Sequence, residues 1–112
     1  MKFVKASAEI MKLFDSLLPD DPRVERRKMF GYPCAFVNKN MFCGVFGDAI
    51  MARLPEGRRE VLLGKGWKQF EPMPGRAMKE YLVIPGKVLG HRKEAQAVLE
   101  EAFAYASSLK KE

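Results

Sequence analysis

Pro33-Cys34-Ala35-Phe36-Val37-Asn38-Lys39-Asn40-Met41-Phe42-Cys43-Gly44-Val45-Phe46-Gly47-Asp48-Ala49-Ile50-Met51-Ala52-Arg53-Leu54 is apolar nearly throughout, and its polar breaks come at short intervals. The breaks, Asn38-Lys39-Asn40 and Gly47-Asp48, are residue types that turn a chain. The runs between them are rich in Phe, Val, Met and Ile, which suit a pleated, half-buried surface. The pattern predicts a β-meander over Val24 to Phe30, Pro33 to Val37, Asn40 to Phe46 and Ala49 to Leu54, with Gly31 as a further break. Gly47 reaches positive φ at little cost. Lys39 in the same backbone region would be strained by about 1 kcal/mol.

Turns at 38–39 and 47–48 put Cys34, Phe36, Met41, Cys43, Val45, Ile50, Ala52 and Leu54 on one sheet face. They put Ala35, Val37, Phe42, Gly44, Phe46, Ala49, Met51 and Arg53 on the other. Both faces are apolar, whereas an antiparallel sheet with one wet face alternates apolar and polar residues. Helices should therefore cover one face. A second subunit of a homodimer, or the long C-terminal helix, should cover part of the other. The same register sets Cys34 directly opposite Cys43 at a non-hydrogen-bonded pair, where Cα atoms approach to about 4.5 Å. That lies at the near edge of the disulfide range. Cys34 and Cys43 are thus a candidate redox pair, against the ordinary alternative of two reduced, packed thiols.

Helical spacing flanks the meander. Val4, Ala8, Met11, Phe14, Leu17 and Leu18 predict a helix from Val4 to Leu18, ended by Pro19-Asp20-Asp21-Pro22. Pro55 opens a short helix with Glu56 in its first turn, and Gly64 or Gly66 stops it. Extended pieces follow around Trp67 to Phe70 and Lys79 to Ile84, joined by Pro72-Met73-Pro74-Gly75-Arg76. Val88, His91, Ala95, Val98, Leu99, Ala102, Phe103, Ala106 and Leu109 predict one long amphipathic helix. The fold class is α+β: a two-layer antiparallel sheet with helices packed on it, in the order helix, three or four strands, helix, two strands, helix. At 112 residues the chain has the common size of one domain, residues 1–112.

The net charge of +6 suits a nucleic-acid or other anionic partner, and equally a basic surface with no such role. The cations come in short clusters: Arg23, Arg26, Arg27 and Lys28; Arg58 and Arg59; Arg92 and Lys93; Lys110 and Lys111. Arg26, Arg27, Lys28 and the loop residue Arg76 are the candidates for nucleic-acid or anion contact. No catalytic, cofactor-binding or metal-binding residue is assigned and no cofactor is expected, so a binding module is preferred to an enzyme. His91 falls on the apolar stripe of the last helix, a core or helix-end position more than a ligand or base. Two cysteines and one distant histidine lack the four-ligand pattern of a zinc site. Gly64-Lys65-Gly66 has neither the spacing nor the hydroxyl residue of a phosphate loop and reads as a helix stop. Trp67 and Tyr81 could wall a small-ligand pocket, though isolated aromatics in short strands are more often core. No apolar run approaches the ~20 residues of a membrane helix. Charges interrupt the N-terminus as they do not in an export signal, so the expected location is cytoplasmic, with no membrane partner.

Longer stretches carry a family resemblance. Arg27-Lys28-Met29-Phe30-Gly31-Tyr32, Ala35-Phe36-Val37-Asn38, Asn40-Met41-Phe42 and Arg53-Leu54-Pro55 resemble the TfoX N-terminal domain family. Phe70, Pro72-Met73, Gly75-Arg76, Met78-Lys79-Glu80-Tyr81 and Ile84-Pro85 continue it. The resemblance runs from about Val4 to Leu109; where relatives often have Asn-Gly at the hairpin tip, this chain has Asn38-Lys39. It implies a two-layer α+β fold like that of secretion-chaperone and YjbR-type domains. It also implies an association with regulation, since the full-length namesake is a positive regulator of competence genes acting with the cyclic-AMP receptor protein. That namesake carries a second, C-terminal domain, for which this chain is too short. The expectation is a stand-alone domain with a protein partner, among which the transcription machinery is the first candidate. No family catalytic residue carries over.

Overall fold

The computed structural model describes residues 6–109. In chain order the elements are α1 (Ala8–Leu17), β1 (Glu25–Met29), β2 (Tyr32–Val37), β3 (Asn40–Phe46), β4 (Ala49–Arg53), α2 (Glu56–Gly64), β5 (Lys68–Gln69), β6 (Tyr81–Val83), α3 (Gly86–Leu89) and α4 (Arg92–Ser108). The strands form one antiparallel six-stranded sheet in the order β1-β2-β3-β4-β6-β5. The expected α+β architecture is the observed one. Val4 and the Lys110-Lys111 cluster lie outside the described residues.

The meander turns where the polar breaks stand. Asn38 and Lys39 both take positive φ, 53° and 63°, so the β2–β3 hairpin closes on a lysine in left-handed backbone. Positive φ at both central positions matches the right-handed twist of the flanking strands. Phe30 and Gly31 do the same between β1 and β2, with φ of 56° and 80°.

Register is where the sequence expectation fails. Val37 pairs with Asn40 and Phe36 with Met41, but Ala35 then pairs with Cys43 and Cys34 with Gly44. A bulge thus inserts Phe42 as an unpaired extra residue, and past it the alternation of β3 is reversed relative to β2. Phe42 and Cys43 both join the helix-side core with Ala35, Val37, Val45, Ile50, Ala52 and Leu54. Cys34, Met41 and Met51 occupy the opposite face.

The helix layer forms on one face only. Ser7 caps α1 by accepting a hydrogen bond from the Ile10 N–H, and Phe14 and Leu17 point into the core. The C-terminal segment is two helices: α3 ends at Gly90, and α4 starts after His91, which sits at the N-cap with extended backbone. Alanines at 95, 102 and 106 let α4 lie close on the sheet, and Phe103 meets Phe42 edge-on at 5.4 Å. Fully burying each large side chain here, such as Ile50 or Leu99, contributes about 1.5–3 kcal/mol. The amide of Asn40 donates to the Ala106 carbonyl, and that of Asn38 to the Leu109 carbonyl, pinning the hairpin tip to the end of α4.

The C-terminal helix therefore shares its face with α1 and does not cover the second one. The connection from β5 to β6 contributes that cover. Phe70 and Met78 lie over Cys34, Met41 and Met51. The Tyr81 hydroxyl donates to the Met41 carbonyl at 2.8 Å, and the Gln69 amide bonds the carbonyls of Met78, Lys79 and Tyr81. Two apolar sheet faces are thus explained largely within one chain.

Candidate functional site

Arg26, Arg27 and Lys28 all lie on β1, an exposed strand at one edge of the sheet. Strand alternation sends them to different faces. Arg27 turns to the open face, where it pairs with Glu25 at 2.8 Å and stands 5.3 Å over the Phe36 ring. Arg26 turns to the helix side and pairs with Asp15 of α1 at 2.8 Å. These pairs are solvated and hold the guanidinium groups in place more than they stabilise the fold. Arg76 belongs to a different element: its backbone closes the tight Met73–Arg76 turn, with Gly75 at φ 75°, in the β5–β6 connection. The four candidate anion contacts therefore form one group of three, split across two faces, and a separate loop cation.

The cysteines do not meet. The bulge places Gly44 opposite Cys34, and the two thiols leave opposite faces of the sheet. Burial pushes both thiols up, that of Cys43 strongly, while the charge of Arg27 partly offsets the effect at Cys34. Both are free, and their protonated forms are poor nucleophiles. Trp67 and Tyr81 do not share a pocket either. Tyr81 packs on the open face, whereas Trp67 packs on the helix-side core. Gly64-Lys65-Gly66 ends α2, with Gly66 at φ 97°. Among the described residues no three potential metal ligands cluster.

Two hollows stand out. One, of about 490 Å³, lies between α2, α3 and α4 and is walled by Trp67, Val88 and Arg58, the last held by Glu101 through bonds of 2.9 and 3.3 Å. The other, of about 280 Å³, lies between α1 and β1 and is lined by Met11, Phe14, Asp15, Arg26, Lys28 and Pro33 among others. It joins two of the basic residues singled out in the sequence to an apolar floor. Sequence reading missed the floor: Met11 belongs to the stripe of α1 that predicts core, yet it is 38% exposed.

The model of the TfoX N-terminal domain matches residues 13–106. The chain belongs to the TfoX N-terminal domain family. In this member of the TfoX N-terminal domain family the matched region takes in the second half of α1, the whole sheet and most of α4. The α1–β1 hollow falls largely inside it. No curated protein matches at a significant level. No helix among the described residues is long and apolar enough to cross a membrane.

Proposed function

We propose that this TfoX N-terminal domain is a regulatory protein-interaction module, acting in the cytoplasm near transcription complexes, and not an enzyme. The observation that carries the reading is the exposed cationic edge strand, set beside a half-apolar hollow. A strand edge with unpaired backbone groups recruits other chains. The regulatory association of the family supports it, as an analogy between domains. Homodimerisation through the half-buried part of the open face, Met29, Phe36, Phe46, Met78 and Val83, belongs to the same proposal. A monomer mass by light scattering at high concentration would remove it.

The direct test is transcript profiling of cells lacking the chain. A defined set of transcripts should change and be restored by the wild-type chain, but not by Arg26→Glu/Lys28→Glu. An unchanged profile, or full rescue by the variant, defeats the reading. Nucleic-acid contact is the competing reading, supported by the +6 charge. The divergence of Arg26 and Arg27 to two faces leaves it a smaller continuous footprint.

A further inference from the structure

We propose that the hollow between α1 and β1 receives an extended acidic peptide segment, which adds to the sheet along β1 and lowers one apolar side chain into the hollow. The inference deepens the interaction-module reading and rests on it. The two-residue turn Phe30-Gly31 makes Met29 and Tyr32 a hydrogen-bonded pair. Counting back in steps of two, Arg27 and Glu25 also bond inward to β2, so the N–H and C=O of Arg26 and Lys28 point away from the sheet. Among the described residues no backbone group from another element bonds them.

The side chains of the same two residues line the hollow, with Met11, Phe14 and Asp15 across from them on α1. An edge strand beside a helix is the geometry in which an added peptide strand gains affinity from main-chain bonds and selectivity from pockets for alternate side chains. Phe30, 42% exposed, stands at the end of β1 in left-handed backbone.

Charge selects the occupant. The carboxylate of Asp15 already accepts from Arg26, whereas Lys28 has no carboxylate partner in the described residues. An incoming strand therefore meets net positive charge on β1, where Glu25 stands against Arg26, Arg27 and Lys28. A second copy is the wrong occupant. Antiparallel pairing through the outward groups sets Arg26 or Lys28 directly against Arg26 or Lys28, and like charges opposed across strands are destabilising. Edge cations usually guard against indiscriminate pairing. Here they would turn away basic and neutral strands and accept an acidic one.

The probe is a short fluorescein-labelled peptide alternating glutamate and valine around a central phenylalanine, followed by anisotropy against the intact chain. Saturable binding is expected, weakening with salt. Replacing glutamate by lysine in the peptide, or making Arg26→Glu/Lys28→Glu in the protein, should weaken it by about tenfold or more. Lys28→Pro removes an N–H that the fold does not use, and should weaken binding by a similar factor with the melting transition kept. Arg76→Glu should leave binding unchanged. No saturation, equal binding of the lysine peptide, or equal binding by Lys28→Pro and Arg26→Glu/Lys28→Glu overturns the groove. A dimer mass lost on Lys28→Glu would also overturn it, giving the edge to a second copy. If the peptide fails while Arg26→Glu/Lys28→Glu still loses the transcript response, the groove falls and the module reading stands. If the peptide binds and no transcript responds, the reverse holds.

Discussion

Gly44→Ala tests the bulged register directly. A Cβ at position 44 would lie 3.1 Å from the Cβ of Cys34 and 3.0 Å from the terminal methyl of Met51. The Met51 end can swing away. The Cys34 Cβ is fixed to a strand paired on both sides, so backbone must give. Overpacking of this kind costs about 1–3 kcal/mol. The lower chain entropy of alanine in the unfolded state returns about 0.4–1 kcal/mol. A net loss of about 1–2 kcal/mol is expected, and for 112 residues that lowers Tm by roughly 4–8 °C. Cys34→Gly removes the opposing atom, so the double variant should be more stable than the two single changes predict by about 0.5–1 kcal/mol. Urea denaturation of all four proteins in reductant measures this. Strict additivity, or an unharmed Gly44→Ala, would refute the register, since without the bulge position 44 does not face Cys34.

Other consequences are as easily measured. The unfolded chain releases the Cys43 proton near the ordinary thiol value of 9.0, while burial makes the folded chain retain it. The native state then binds more protons, so stability falls as pH rises past about 9, by at most ~1.4 kcal/mol per pH unit. Denaturation curves at neutral and alkaline pH should show this loss in the wild type and a shallower one in Cys43→Ala; equal slopes would contradict it. Arg59 donates to the carbonyls of Leu54 and Lys79, both at 2.9 Å, tying α2 to the end of β4 and to the β5–β6 connection. Arg59→Ala should cost about 1.5–3 kcal/mol by thermal melting, and a neutral result would mean that water replaces both bonds. Labelled duplex DNA should show no saturable binding at physiological salt. Salt-steep binding lost in Arg26→Ala and Arg27→Ala would put nucleic-acid contact ahead of protein contact.

The meander was legible because polar breaks interrupt apolar runs, and Gly47 and Asn38 stand where positive φ is needed. The bulge was not. Met41-Phe42-Cys43 is apolar on either face, so a one-residue reversal of alternation leaves no polar residue out of place to betray it. That silence misplaced Cys43 and with it the thiol pair. The break between α3 and α4 did leave a signal in Gly90, which the continuous apolar stripe through His91 outweighed. Tertiary packing decided the rest: how the Phe70–Tyr81 segment folds back over Met41, and which acid of α1 meets Arg26.

The two apolar faces suggested that a partner would sit on a face. The structure adds an edge to that inference, beside the half-buried rim of the open face proposed above for a homodimer. The helix-side face is closed by α1 and α4, and the centre of the other is closed by Phe70, Met78 and Tyr81. What a sheet cannot close from within is its outermost strand, unless it becomes a barrel. Here the two edges differ. β5 is a two-residue strand that follows directly on the Trp67 turn. β1 is five residues long, exposed except at Met29, and flanked by a hollow whose apolar floor none of its own side chains fills. Length, exposure and an adjacent pocket coincide at β1 alone among the described strands, which makes it the edge open to an added strand.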